Sequence, residues 1–136
     1  MKTFFDSSTL LAVLLQSEIG HEAAAAAFDS AQTRLASSHS LAECFAQLTG
    51  KLRIPPAEAA ELIQEGFPGM EWVTLPPKNA VAVIEEASTL GIRGGLIYDA
   101  MILAAARHAR ADVILTGNSS DFLICAPDLA ERIREP

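Results

Sequence analysis

Hydrophobic positions along this chain fall into two rhythms, short unbroken apolar runs and longer stretches in which apolar residues recur three and four apart. The short runs predict strands. The first is Thr3-Phe4-Phe5, which holds β-formers and no turn residue. Thr33–Ser37 and Trp72–Leu75 follow, and Asp112–Thr116 is a β-branched run suited to a central parallel strand buried on both faces. Leu123–Cys125 is expected as a last short strand.

The longer rhythm predicts helices. One follows Asp6 and runs through about Gln16; after Gly20 a second covers Glu22–Gln32. Ser40-Leu-Ala-Glu43 has capping-box spacing, and Leu41, Cys44, Phe45, Leu48 and Leu52 then mark one apolar face. Pro55-Pro56 stops that helix and opens Ala57–Gln64, with Leu62 and Ile63 inward and Glu58, Glu61 and Glu65 outward. Gly66–Gly69 reads as a loop. Pro76-Pro77 ends the third strand ahead of a helix at Lys78–Leu90, with Val81, Ile84 and Leu90 on one side. After Gly91, Gly94 and Gly95 comes Ile97–Ala109, apolar almost all round near its start. Asn118–Phe122 is a tight turn or short helix, and Asp128–Arg134 is expected to be terminal helix. Strands separated by helices predict an α/β fold with a parallel sheet and right-handed crossovers. No repeat or low-complexity segment interrupts the order.

Length and charge narrow the picture. At 136 residues, the simplest reading is one domain over 1–136, able to bury roughly two-thirds of its unfolded surface. A net charge of −7 argues against a surface that grips nucleic acid all over, but leaves room for a local basic rim. Cys44 and Cys125 lie far apart with no Cys-x-x-Cys, so they read as small core residues in a reducing compartment. Asp6, Ser7 and Ser8 interrupt any leader-like apolar stretch, and no apolar run approaches the roughly 20 residues a membrane span needs; the expectation is a cytoplasmic protein.

The candidate chemistry is acidic. Asp6 stands where the first strand turns into a helix, a position that also suits an N-cap. Glu43 fits the third residue of a capping box or the wall of a cleft, and Asn118 with Asp121 repeats the N-cap spacing after a later strand. Asp99 shares a helical face with Ile102, Leu103 and Ala106, where an ionised carboxylate is costly unless a partner meets it. Ligands in open parallel sheets sit beyond the carboxyl ends of the strands. Asp6, Asp99, Asn118 and Asp121 can converge there, and such a like-charged cluster makes sense mainly as a divalent-metal site. Its all-oxygen donors favour Mg²⁺ or Mn²⁺ over zinc. His21, His39 and His108 have no ligand spacing and read as surface or satisfied histidines.

Phe4-Phe-Asp6-Ser-Ser8, Ser40-Leu-Ala-Glu43 with Leu48 and Thr49, Ile97-Tyr-Asp99-Ala100 and Leu115-Thr-Gly-Asn118-Ser-Ser-Asp121-Phe122 together resemble the four signatures of PIN-domain ribonucleases, in particular VapC-like toxins of toxin–antitoxin systems. The resemblance spans nearly the whole chain. It implies a three-layer sandwich whose central parallel sheet has the order 3-2-1-4-5, an acidic pocket holding Mg²⁺ or Mn²⁺, and endonucleolytic cleavage of single-stranded RNA by metal-activated water. Asp6, Glu43 and Asp99 match the main acidic positions, Ser8 and Thr116 the pocket hydroxyls, and Asn118 and Asp121 share the fourth position. A cognate antitoxin in an apolar groove beside the pocket is implied as well, and similar apolar surface would support a homodimer.

Arg34, Lys51, Arg53, Arg93 and Arg107 are the candidate phosphate contacts, each equally readable as a solvated surface charge. Two other readings stay open. A receiver-like or phosphatase-like domain also places an Asp after its first strand, but the chain has no Lys after Lys78 to meet a phosphoryl group. A non-catalytic PIN-like interaction module would use the same acids only as helix caps.

Overall fold

In the computed structural model, which describes residues 1–136, five strands pair side by side: Lys2–Phe5 (β1), Thr33–Ser37 (β2), Met70–Val73 (β3), Val113–Leu115 (β4) and Ile133–Arg134 (β5). All neighbours are parallel and the order is β3-β2-β1-β4-β5. The helices are Ser7–Leu14 (α1), His21–Ser30 (α2), His39–Thr49 (α3), Pro56–Gly66 (α4), Pro77–Leu90 (α5), Leu96–His108 (α6) and Ser119–Cys125 (α7), with a 3-10 turn at Pro127–Leu129. The PIN-like three-layer sandwich, with the sheet order expected from the resemblance, is the architecture observed. No helix is long and apolar enough to cross a membrane.

Strand side chains alternate between faces, so a sheet covered on both sides needs apolar residues at every strand position. Phe4 aligns with Leu35 on one side and Ile114 on the other, and Ile114 with Ile133, giving an apolar row across four strands. That row packs under α6 and α7 with Ile102, Leu103, Ala106 and Phe122. Phe5 and Leu115 form the next row and point the other way, into a second cluster with Leu10, Phe28, Cys44 and Phe67. Phe4, Phe5 and Leu10 are completely buried; each would contribute roughly 1.5–3 kcal/mol by burial.

The C-terminal elements differ from expectation. Leu123–Cys125, expected as a strand, forms the end of α7, because Phe122 and Cys125 stand one turn apart and both face the core. Asp128–Arg134, expected as helix, holds the 3-10 turn and β5. Pro127 ends the helical path and Ile133 docks beside Ile114, a pairing too short to leave a periodic signal. Trp72–Leu75 is displaced as well, since the third strand begins at Met70 and ends at Val73.

Two helices turn differently from their apolar patterns. In α3, Ser40, Cys44 and Leu48 form the buried face while Phe45 is exposed, and Leu52, also exposed, lies beyond the helix end at Thr49. In α5 only Ala87 is buried, with Val83 half-covered, and Val81, Ile84 and Leu90 face outward. This helix lies at the periphery, against α6, with a groove of about 330 Å³ lined by both helices.

Candidate active site

Parallel strands deliver all their carboxyl ends to one edge of the sheet. β1 ends at Phe5 and the chain turns at Asp6 into α1; β4 ends at Leu115 and leads through Thr116 and Asn118 into α7; β2 ends at Ser37 and leads into α3, which carries Glu43. α6 runs back across the sheet before β4, so Asp99 in its first turn arrives at this same edge.

Asp6 is 5% exposed and fully engaged. Its Oδ1 accepts the Thr9 backbone N–H at 3.0 Å, capping α1, and the Ser8 hydroxyl at 2.7 Å. Its Oδ2 accepts the Thr116 hydroxyl at 2.6 Å. The N-cap and the pocket reading therefore hold together, since one oxygen serves the helix and the other faces β4. Thr116 also accepts the Asn118 N–H at 2.9 Å, and Ser8 accepts the Gly117 N–H at 2.9 Å. A side chain on Gly117 would put its Cβ 3.3 Å from Ser8 Oγ, so the smallest residue permits this close crossing.

Glu43 is not held by a capping box. α3 begins at His39, one residue before Ser40, and Ser38 at its N-cap makes no side-chain capping bond. Ser40 is completely buried with its hydroxyl 3.0 Å from Ser7 Oγ, and Ser7 Oγ donates to Glu43 Oε1 at 2.9 Å. The capping-box expectation fails because Ser40 faces the core instead of the helix end. Ser7, which spacing did not single out, is the residue that orients Glu43; its one sequence cue is its place directly after Asp6 in the strand-to-helix corner. His39 Nε2 lies 3.8 Å from Glu43 Oε1.

Asn118 occupies the N-cap of α7 without a side-chain capping bond. Its Nδ2 instead donates to Asp121 Oδ2 at 2.9 Å, which fixes the two side chains together and leaves the amide oxygen of Asn118 free to accept. Asp99 has no hydrogen-bond donor or cation of the protein against it. Burial, followed by the charges of Asp121, Asp6 and Glu43, pushes its carboxyl up to about 6. Cys44 feels two of the same acids: burial first, then Glu43 and Asp6, push its thiol up to about 12, which leaves it protonated and unreactive near neutrality.

The four carboxylates are thus within electrostatic reach of one another without being in chelating contact, and no three His, Cys, Asp or Glu side chains meet at one metal-holding point. The donor set nevertheless suits a hard divalent cation: Asp6, Asp99 and Asp121 carry carboxylate oxygens, Asn118 an amide oxygen left free by its bond to Asp121, Ser8 and Thr116 add hydroxyls bonded to Asp6, and no lysine or arginine forms an ion pair with these acids.

Two of the five basic candidates are committed elsewhere. Arg34 lies over the Phe28 ring at 4.3 Å and donates to the carbonyls of Phe28, Pro68 and Asp29, near the start of β2 and away from the acidic edge. Arg107, in the last turn of α6, makes a two-pronged pair with Asp128 at 2.7 and 2.6 Å. A guanidinium spent on internal partners offers little to a phosphate at the far edge. Lys51, Arg53 and Arg93 are exposed and form no ion pair, Arg93 in the loop that leads into α6 and Asp99.

A parallel three-layer sheet with an acidic, hydroxyl-lined corner at its carboxyl edge defines the class: an α/β protein built around an acid pocket. The sequence matches the PIN domain family over residues 3–123, a span that holds all four acids, and the chain belongs to that family. It is 29% identical over 111 residues to Ribonuclease VapC27 of Mycobacterium tuberculosis (strain ATCC 25618 / H37Rv), covering 79% of each protein. The crystal structure of Mycobacterium tuberculosis VapC20, described as a Sarcin-Ricin loop cleaving toxin, has the same fold, with a TM-score of 0.69 at 19% identity over 85% of this chain and 91% of that one.

Proposed function

We propose that residues 1–136 act as one PIN domain with divalent-metal-dependent endoribonuclease activity on single-stranded RNA, serving in the cytoplasm as the toxin of a toxin–antitoxin pair. The observation that carries this reading is Asp99, a half-buried carboxylate surrounded by three other acids and given no cation or donor by the protein. A purely structural acid is expected to have a partner. The relatives named as VapC ribonuclease and toxin support the direction.

In this reading Asp6, Asp99, Asn118 and Asp121 hold Mg²⁺ or Mn²⁺, which supplies Lewis-acid activation of water and offsets charge building on the phosphodiester. Thr116 and Ser8 fix the orientation of Asp6 by donating to its two oxygens. Ser7 orients Glu43 by donating to its carboxylate, and in this reading Glu43 would take a proton from the attacking water. Lys51, Arg53 and Arg93 supply the phosphate rim. An antitoxin that covers the acids with a basic side chain is the protein partner, and Ile19, Val81 and Ile84, at 99, 58 and 51% exposed, are apolar surface for that contact or for a homodimer.

Reading the acids only as helix caps accounts for Asp6 but not for Asp99, Asp121 or Glu43, none of which caps a helix end by its side chain. The deciding experiment is cleavage of single-stranded oligoribonucleotides by purified protein with Mg²⁺ or Mn²⁺. Activity should vanish with a chelator and on Asp99→Asn. Equal cleavage with and without chelator would remove the mechanism.

A further inference from the structure

His39 opens α3 and Tyr98 lies in the first turn of α6, so the two helices that carry Glu43 and Asp99 also place an aromatic ring each at the pocket's edge. The rings are parallel to within 6°, with centroids 6.3 Å apart. Both are solvent-facing: Tyr98, the chain's one tyrosine, is 59% exposed, and the His39 side chain 56%. Behind them lies a cavity of about 350 Å³ whose apolar floor includes Leu75, Met101 and Ile102, and whose polar lip is formed by Ser38 and Thr74, hydroxyls 3.2 Å apart. Nothing in the acid chemistry uses this arrangement.

We propose that the His39–Tyr98 pair and the cavity behind it form a nucleobase subsite that stacks one base of single-stranded RNA beside the acidic pocket. The inference rests on the ribonuclease reading and names how the substrate is held. A chain of net charge −7 whose Arg34 and Arg107 are committed internally has little electrostatic grip on a phosphate backbone. Beyond what the exposed Lys51, Arg53 and Arg93 supply, affinity needs contacts that do not depend on charge, and base–aromatic stacking is the sequence-tolerant kind. Parallel π faces suit a flat ring, the apolar floor removes that ring from water, and the Ser38 and Thr74 hydroxyls offer both donor and acceptor to a base edge. The link between His39 and Glu43, one helical turn apart, ties the subsite to the acid cluster.

The test uses the full chain carrying Asp99→Asn, so that bound RNA survives, and reads binding by fluorescence anisotropy. The probes are a mixed-sequence single-stranded oligoribonucleotide and a base-free ribose-phosphate oligomer of equal length. Tyr98→Ala should weaken binding of the oligoribonucleotide about tenfold while leaving the base-free oligomer unaffected. Tyr98→Phe should retain the affinity and Tyr98→Leu should not. His39→Ala should weaken the same probe, and serves in place of Tyr98→Ala if that protein melts early. Equal loss on both probes, no loss on either, or full rescue by leucine would overturn stacking, the last pointing instead to an apolar contact such as a protein partner makes. In the wild-type background, Tyr98→Ala should raise KM for RNA far more than it lowers kcat. Absence of metal-dependent cleavage by the wild type would sink the nuclease reading alone, because the two probes still report base binding directly.

Discussion

Thr116 and Asp6 meet across the β1–β4 junction, the threonine hydroxyl donating to Asp6 Oδ2 at 2.6 Å while accepting the Asn118 N–H at 2.9 Å. One buried hydroxyl thus sets the direction of the acid that follows β1 and the course of the chain that follows β4. Thr116→Val keeps the shape and removes the hydroxyl from between a buried carboxylate and a backbone N–H. The expected loss is about 1–3 kcal/mol in urea unfolding, with Thr116→Ser restoring most of it. A valine variant as stable as wild type would show that water replaces the hydroxyl.

Asp99→Asn should stabilise the metal-free protein, since it removes one charge from a group of four acids without deleting a hydrogen bond. Asp6→Asn should do the opposite, because Asp6 accepts three hydrogen bonds and an amide nitrogen facing Thr116 or Thr9 would meet a donor. Thermal melts in chelator separate the two. Adding Mg²⁺ or Mn²⁺ at about 100 times its dissociation constant should raise wild-type stability by about 2.7 kcal/mol and leave Asp99→Asn nearly unmoved.

The pH dependence follows from the direction of the Asp99 shift. Its folded carboxyl titrates at about 6 against an ordinary 3.8, so the folded chain binds the proton more tightly than the unfolded one. The stability this supplies is fully present below about pH 3.8 and is lost as pH rises through about 6. Metal-free wild type should therefore lose stability relative to Asp99→Asn across that window and run parallel to it above. Urea titrations at successive pH values in chelator measure the gap; a gap constant with pH would contradict the assigned environment. The Arg107–Asp128 pair, in which a hydrogen bond from Arg107 holds Asp128 below its usual range, is common to both proteins and cancels.

Arg34→Ala should cost about 1–3 kcal/mol, through lost bonds to three carbonyls and the lost ring contact, without changing RNA affinity. Arg107→Ala should cost less than about 1 kcal/mol, as expected for an exposed pair. Arg93→Glu should weaken RNA binding with little effect on the melt. Anisotropy and thermal melts on the three variants distinguish structural from phosphate-contacting arginines.

Expressed without a partner, the wild-type chain should arrest bacterial growth, and Asp99→Asn should not. Wild type harmless in cells yet active on RNA in vitro would retire the toxin role and keep the nuclease.

Much of this architecture is legible in the sequence. Strands that alternate with helices force a parallel sheet, and a parallel sheet brings Asp6, Asp99 and the Asn118–Asp121 pair to one edge whatever the details. Spacing carries no such information about Ser7 and Glu43, which meet only after two helices have packed, nor about whether Arg34 reaches RNA or Phe28. The capping-box pattern at Ser40 misled because helix starts are marked by hydrogen-bonding residues that a buried contact can also use. β5 escaped because two residues cannot show a period, and its place is fixed by Ile133 finding Ile114.

The double duty of Asp6 bears on how inactive versions of this protein are made and how they arise. Replacing it abolishes a helix cap along with a pocket acid, so silence in an assay confounds lost chemistry with lost structure. Replacing Asp99 breaks no such bond. If the unpartnered chain arrests growth, then among survivors lesions at Asp6 and Thr116 should yield protein that is cleared from the cell. Lesions at Asp99 should persist as intact decoys, still able to occupy whatever partner recognises the fold.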